Sequence, residues 1–388
     1  MVFEELVLFI LSSFKCSTQC ALRRFFATID KPVHMKQQSL SEARAKLNVS
    51  AFSDLFEVSA AALIDTDDKL WHNYRVCAID GSKIALPSDK TLLSHFGGTG
   101  AGASSPTAQA SILYDVLNDI VIDARIAPLT TDERLLAELH IDHGMAVISG
   151  SNNVIIFDRG YPSFDLTKKL ETKNIMYVMR CRAKFNLGID NQESPDGNVR
   201  ITKNGDHIDI RVIKLKLDNS EPETLITNIT DTGFGPESFK KLYFMRWPVE
   251  TKYDIVNNKL LLENFTSRTV EGIEQDFYAV MYLTNIAAAA AYDVNNEIDT
   301  TRSDNDNKYR YRVNINELIG VLKDKLVLAL AEDRTRKQAH IITNIILEIS
   351  SNIAPVRPNR SVVRNKLPRK VKFHINRKRN SWTFFLTC

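Results

Sequence analysis

Two aspartates stand where short apolar runs meet glycine. RVCAID ends in Asp80 and is followed by Gly81; NVIIFD ends in Asp158, with Gly160 two residues on. Runs this short and rich in Val and Ile read as buried strands, so each acid is expected at the carboxyl end of a strand, the rim where α/β proteins place ligands. Carboxylate oxygens are the donors that hard cations such as magnesium prefer, and acids gathered in one cleft repel unless a cation neutralises them. Two ions in such a cleft suit chemistry at phosphorus, one activating the attacking oxygen and the other stabilising the leaving oxygen. The third acid must come from elsewhere in the chain.

Glu250, in YFMRWPVETKYDIVNNKL, is the best candidate. Tyr243 and Arg246 precede it by seven and four positions, which on a helix puts all three near one face. A phenol and a guanidinium would then flank the acid, ready for phosphate. Pro248 either kinks that helix or opens its first turn. Taken singly, each acid also has a plain structural reading: strand-end aspartates cap turns, and Glu250 can simply pair with Arg246.

The elements that must position these residues can be read coarsely. Residues 1–73 read as helical. From Tyr74 the pattern turns to β-rich runs: YRVCAID, then SILYDVL and IVIDARI as a hairpin about Asn118-Asp119, then NVIIFD, the short helix DLTKKLET and the strand IMYVMRCR. Strands with interleaved helices indicate an α/β core over 74–182. Residues 183–223, with NVRITK and HIDIRVIKLKL, read as a β-rich insertion. ETLITNI resumes the core over 224–290, a helical region opens near Pro236, and 291–388 reads as helical with a basic tail.

Length and composition fit this organisation. A chain of 388 residues accommodates two or three modules, and 44% apolar with 25% charged residues excludes a disordered chain or a coiled coil. No run of about 18 apolar residues exists to span a bilayer. LVLFILSSF follows Glu4 and Glu5, not a basic segment, so it does not read as a secretory signal, and a cytoplasmic protein is expected. Five scattered cysteines make no disulfide framework. GGTGAGASS lacks the Gly-Lys-Ser/Thr ending of a phosphate loop and reads as a flexible loop. His140 and His143 lack a third ligand and read as helix-end surface residues. From Ser351 to Cys388 there are ten Lys or Arg and no acid. That block suits a polyanion through counterion release, or is a solvated tail.

AIDGSKIALP, FDRGYPS and YFMRWPVETKYDIVNNKLLLENF, with SLSEARAKL, LYDVLND, Glu133-Arg134 and LITNI in order between and before them, resemble the DDE transposases of bacterial insertion sequences. They are similar to the insertion sequence 4 group, marked by a tyrosine-arginine-glutamate-lysine signature around the last acid. The resemblance implies a ribonuclease-H-like catalytic core with an inserted β-strand domain, a helical N-terminal DNA-binding domain over 1–73, and a helical, basic C-terminal region. It implies that Asp80, Asp158 and Glu250 are catalytic and hold two magnesium ions, with manganese as a substitute. Tyr243 and Arg246 would contact DNA phosphates. Trp247 would stack on a base or pack in the core. Asn257 falls where the signature lysine is expected, able to hydrogen-bond a phosphate without bringing charge. The implied partners are double-stranded DNA, as terminal inverted repeats and as target, and a second copy of the chain on that DNA, at the bacterial nucleoid and with no membrane. The implied reaction is cut-and-paste transposition; a transposase-derived DNA-binding regulator and a metal-dependent nuclease without strand transfer are the alternatives, separated by whether strands are cut and then joined.

Overall fold

Val76, Cys77, Ala78 and Ile79, like Val154, Ile155, Ile156 and Phe157, are fully buried. Unbroken apolar runs of this kind form central strands covered on both faces, and here they build the middle of the sheet. The structure, a computed structural model, describes residues 1–388 apart from 13–16, 34, 65–67, 150–151, 216–222, 261, 302–308 and 358–388. Nine of the ten basic residues of the expected tail, from Arg360 to Arg379, lie outside the described residues.

The chain begins with helices α1 (Phe3–Leu11), α2 (Thr18–Thr28), α3 (Gln37–Ala45) and α4 (Ser50–Ala62). Then come β1 (Arg75–Ala85), α5 (Lys90–Phe96), β2 (Gly98–Thr99), β3 (Ser105–Asp115), β4 (Ile120–Pro128), α6 (Glu133–Leu139), α7 (Met145–Val147), β5 (Asn153–Phe157), α8 (Phe164–Thr172) and β6 (Met176–Cys181). A short α9 (Leu187–Asp190) leads to β7 (Asp196–Lys203), β8 (Asp206–Leu215) and β9 (Glu223–Thr227), followed by α10 (Pro236–Phe244), α11 (Pro248–Asp254) and α12 (Val270–Thr301). The last described elements are β10 (Arg310–Val313), α13 (Ile315–Leu330), α14 (Thr335–Ser351) and β11 (Ile353–Val356). The chain divides into two compact units, Met1–Lys46 with Ala290–Cys388, and Leu47–Ala289. The helical segment expected over 1–73 is thus shared, with α1–α3 in one unit and α4 in the other.

The second unit is a mixed α/β fold around one nine-stranded sheet of order β2-β3-β1-β5-β6-β9-β8-β7, with β4 also paired to β3. β1 runs antiparallel to β3 and parallel to β5, and β5 parallel to β6. β3 and β4 form the expected hairpin, with Asp119 in its turn at φ 63°, a conformation Asp tolerates better than most side chains. β7 and β8, from the segment expected as an insertion, continue the same sheet beyond β9. Alternate residues of the central strands, Cys77 and Ile79, Ile155 and Phe157, Tyr177 and Met179, pack with Ala137, Leu166 and Leu170 of α6 and α8. The edge of β4 is closed by a side chain: buried Asn285 of α12 accepts from the Val121 amide at 2.9 Å and donates to its carbonyl at 3.0 Å. This satisfies backbone groups that an edge strand leaves open. Among the described residues no helix is long and apolar enough to cross a membrane.

Candidate active site

Asp158 leaves the end of β5 as the sequence predicts, whereas Asp80 does not end its strand. β1 continues to Ala85 because β3 pairs with it throughout, from Cys77 opposite Asp115 to Ala85 opposite Thr107. Its other neighbour, β5, stops at Phe157 and pairs with β1 only as far as Ala78 opposite Ile156. Asp80 therefore sits where β1 outruns β5, which is still a rim. Asp80 and Asp158 both lie two residues beyond that last pair, so they leave the same face of the sheet on neighbouring strands.

Glu250 arrives from α11. The single helix expected through Tyr243, Arg246 and Glu250 is two helices, because Pro248 lacks an amide and clashes within a helix interior but suits a first turn. α10 ends at Phe244 and Pro248 opens α11. The three side chains nevertheless converge. Arg246 donates to Glu250 Oε1 at 2.8 Å and lies 3.8 Å from Asp80 Oδ2, while the Tyr243 hydroxyl donates to Asp158 Oδ1 at 3.1 Å. One guanidinium thus joins acids from β1 and α11, and the phenol beside it holds the acid from β5.

Buried contacts fix α11 against the sheet. Lys252, only 3% exposed in its side chain, pairs with Asp119 at 2.7 Å and lies over the Tyr114 ring; the Tyr114 hydroxyl donates to the same Asp119. Tyr253 donates to the Asp80 carbonyl at 2.9 Å. The Ser111 hydroxyl reaches that carbonyl from the other side at 3.3 Å and is joined to His140 Nε2, whose Nδ1 meets Asp123. His140 is therefore a fully buried member of a polar chain ending at the backbone of Asp80, and not the surface residue that the sequence implied. Burial opposes the charge of Asp123, but hydrogen bonds from His140 and Arg125 hold its carboxyl below the usual range.

The electrostatics are those of an acid cluster short of positive charge. Burial, reinforced by Glu250 and Asp158, pushes the Asp80 carboxyl up to about 6 against the pull of Arg246 and the Gly81 amide. Burial and the charge of Asp158 push Tyr243 up to about 12. Arg246 is desolvated yet held protonated by Tyr243, Glu250, Asp158 and Asp80. Among the described residues no three His, Cys, Asp or Glu side chains already form a cage for a metal. The donor chemistry nonetheless fits a divalent cation: all-oxygen ligands, partly buried, three carboxylates beside one guanidinium.

Trp247 lies at the junction of α10 and α11 and is half exposed, as a surface residue and not a core one. Asn257 falls in a π-helical turn, Ile255–Lys259, and its side-chain oxygen is buried without a hydrogen-bond partner. Two residues near the triad lie in segments that carry the resemblance but had no role assigned from the sequence. Glu133 opens α6, and Tyr161 follows Asp158 with its hydroxyl buried and unpartnered.

Residues 71–286, more than half of the chain, match the family described as the transposase DDE domain. No curated protein matches the chain. Among solved structures, the chain is similar to the piggyBac transposase synaptic complex with hairpin DNA. The identity is 11%, covering 89% of this chain and 76% of that one, with a TM-score of 0.48.

Proposed function

The chain belongs to the transposase DDE domain family and is a DDE transposase, an enzyme of DNA recombination, and from that premise we propose that it cuts and rejoins DNA strands at the ends of an insertion sequence with Asp80, Asp158 and Glu250. The observation that carries this reading is the Arg246 guanidinium, which gathers Glu250 and Asp80 at the rim where Tyr243 holds Asp158. The antiparallel β4-β3-β1 followed by parallel β5 and β6 supports a ribonuclease-H-like core for these acids.

In this reading Asp80, Asp158 and Glu250 hold two magnesium ions, or manganese in their place. When bound, these ions supply Lewis-acid activation of the attacking oxygen and charge stabilisation of the leaving one. The chain's own part is to keep the three carboxylates on one rim, through Tyr243 and the backbone contacts of Asp80, and to present Arg246 and Tyr243 to the DNA phosphates. Trp247, half exposed beside Arg246, would stack on a base, since aromatic faces accept any base. Asn257 takes the place of the signature lysine of the insertion sequence 4 group and positions the strand by hydrogen bonding alone. The helices before β1 hold the terminal repeats, and two copies act together on the paired ends.

Purified protein is expected to nick duplexes carrying the repeats that flank its coding region when magnesium is added, and then to yield joined products. Asp80→Ala should bind those duplexes and leave them intact. Binding without cutting by the wild-type chain would show a regulator instead, and cutting without joining a nuclease.

A further inference from the structure

Asp80 and Asp158 are each followed by a glycine at close quarters with a fourth carboxylate. A methyl group at Gly81 would stand 3.3 Å from Glu133 Oε1, and one at Gly160 would stand 3.7 Å from Glu133 Oε2. The carboxyl group of Glu133 is therefore set between the backbone just after the first acid and the backbone just after the second. It is held there. Gln109 of β3 donates to Oε1 at 3.3 Å, Asp132 caps α6 by accepting from the Arg134 amide, and Arg134 donates to the Gly160 carbonyl at 3.2 Å. Glu133 itself is exposed, so a hydrated cation can reach it.

An independent observation marks the same spot. Tyr161 is 2% exposed and its hydroxyl has no hydrogen-bond partner. Its amide donates to the Asp158 carbonyl at 3.1 Å and its ring packs on Phe157, so the residue is fixed at the end of β5 beside the second acid. A buried hydroxyl without a partner costs free energy unless something fills the site during function. A ligand oxygen entering beside Asp158 would satisfy it.

We propose that Glu133 is a fourth carboxylate of the cation site, lying beside Gly81 and Gly160 and raising the affinity of the centre for divalent ions. This rests on the reading of Asp80, Asp158 and Glu250 as cation ligands. Glu133 supplies negative charge without being one of the three signature acids, and Gln109 is its positioning residue. Crowding of like charges is the cost in the ion-free protein; cation binding relieves it.

The test uses the full chain and manganese chloride, followed by titration calorimetry and by the manganese-induced rise in Tm. Glu133→Gln should weaken manganese binding about 10-fold, the low end of what loss of a supporting group costs a metal site, and Glu133→Asp should recover most of it. The cation concentration giving half-maximal strand cleavage should rise by the same factor. Asp80→Asn should weaken binding further. If Asp80→Asn weakens manganese binding while Glu133→Gln leaves it within about twofold, Glu133 only complements the N-terminal end of α6 and is no part of the cation site, while the reading of the three acids stands. If the wild-type chain binds no manganese, the cation reading of the triad falls too. A Glu133→Gln chain that loses Tm without manganese yet binds the ion normally assigns Glu133 to the first turn of α6 in the same way.

Discussion

Replacing Asp80 by Asn should stabilise the ion-free protein while abolishing strand cleavage. The carboxyl titrates near 6 because it is buried beside Glu250 and Asp158, against an ordinary value of 3.8. Keeping it ionised at pH 8 costs the folded chain about 3 kcal/mol, after the help of Arg246 is counted. Its side chain is only 22% exposed, so solvent screening removes little of that. Asn has the same shape and no charge, and the Asp80→Asn chain should gain most of the 3 kcal/mol, about 6–12 °C in Tm for a unit of this size. The sign with pH is specific. A raised carboxyl pKa is a cost present above 6; as pH falls from 6 towards 3.8, folded Asp80 takes up a proton that the unfolded chain does not yet hold, and the variant's advantage shrinks towards zero. Magnesium should reverse the order at pH 8, because binding stabilises only the chain that holds the ion. Thermal unfolding followed by circular dichroism at pH 8 and pH 4.5, with and without magnesium, measures all of this. An Asp80→Asn chain no more stable than wild type at pH 8, or equally favoured at both pH values, would refute the assignment of burial as the dominant cause.

Arg246→Lys keeps the charge but loses the fork that reaches Glu250 and Asp80 together. Cleavage should fall about 100-fold, and Arg246→Ala should lower the slope of log binding constant against log salt by about 1 if a phosphate contact is lost; an unchanged slope in fluorescence titrations of end duplexes would remove Arg246 from the DNA contact. The Lys252–Asp119 pair is asymmetric, with Lys252 buried and Asp119 half exposed. Asp119→Asn leaves a buried cation and should cost about 3 kcal/mol in urea unfolding, whereas Lys252→Met returns Asp119 to water and should cost less; equal costs would contradict the burial argument. His140→Ala strands Asp123 and Ser111 inside the sheet and should cost about 3 kcal/mol, with a drop in cleavage because the Asp80 backbone loses its brace. A stable His140→Ala chain of normal activity would show the polar chain to be dispensable.

The parts of this protein that were legible in its sequence are those where one local pattern had one structural solution. VCAI and VIIF are apolar at every position, so they had to be strands buried on both faces, and Asn118-Asp119 between β-rich runs had to be a turn. Asp158 was placed correctly because β5 stops at Phe157, although its neighbours β1 and β6 both run on. Asp80 was placed at a strand end incorrectly because β3, a long-range partner, carries β1 five residues further. Pro248 announced a break, and whether the break would scatter Tyr243, Arg246 and Glu250 depended on a turn that local spacing does not describe. His140 looked like a surface residue because Asp123 and Ser111 are distant in sequence and meet it only across the hairpin. Glu133 and Tyr161, though inside recognisable segments, showed no role there for the same reason: it resides in what surrounds them.

Arg246 faces two demands that cannot both be met by the same donors. It is the counter-charge of Glu250 and Asp80, which without it would lose the cation that reaches them both. If it also grips a DNA phosphate, its donors are drawn from the acids, and the acids then carry more unbalanced charge than before. Divalent cations are what can restore the balance, so DNA and cations should each favour the other's binding, the coupling being equal in both directions. On the proposed reading, an end duplex should therefore lower the magnesium concentration needed for half-maximal binding, and Arg246→Ala should remove that coupling; equal magnesium affinity with and without the duplex would refute it.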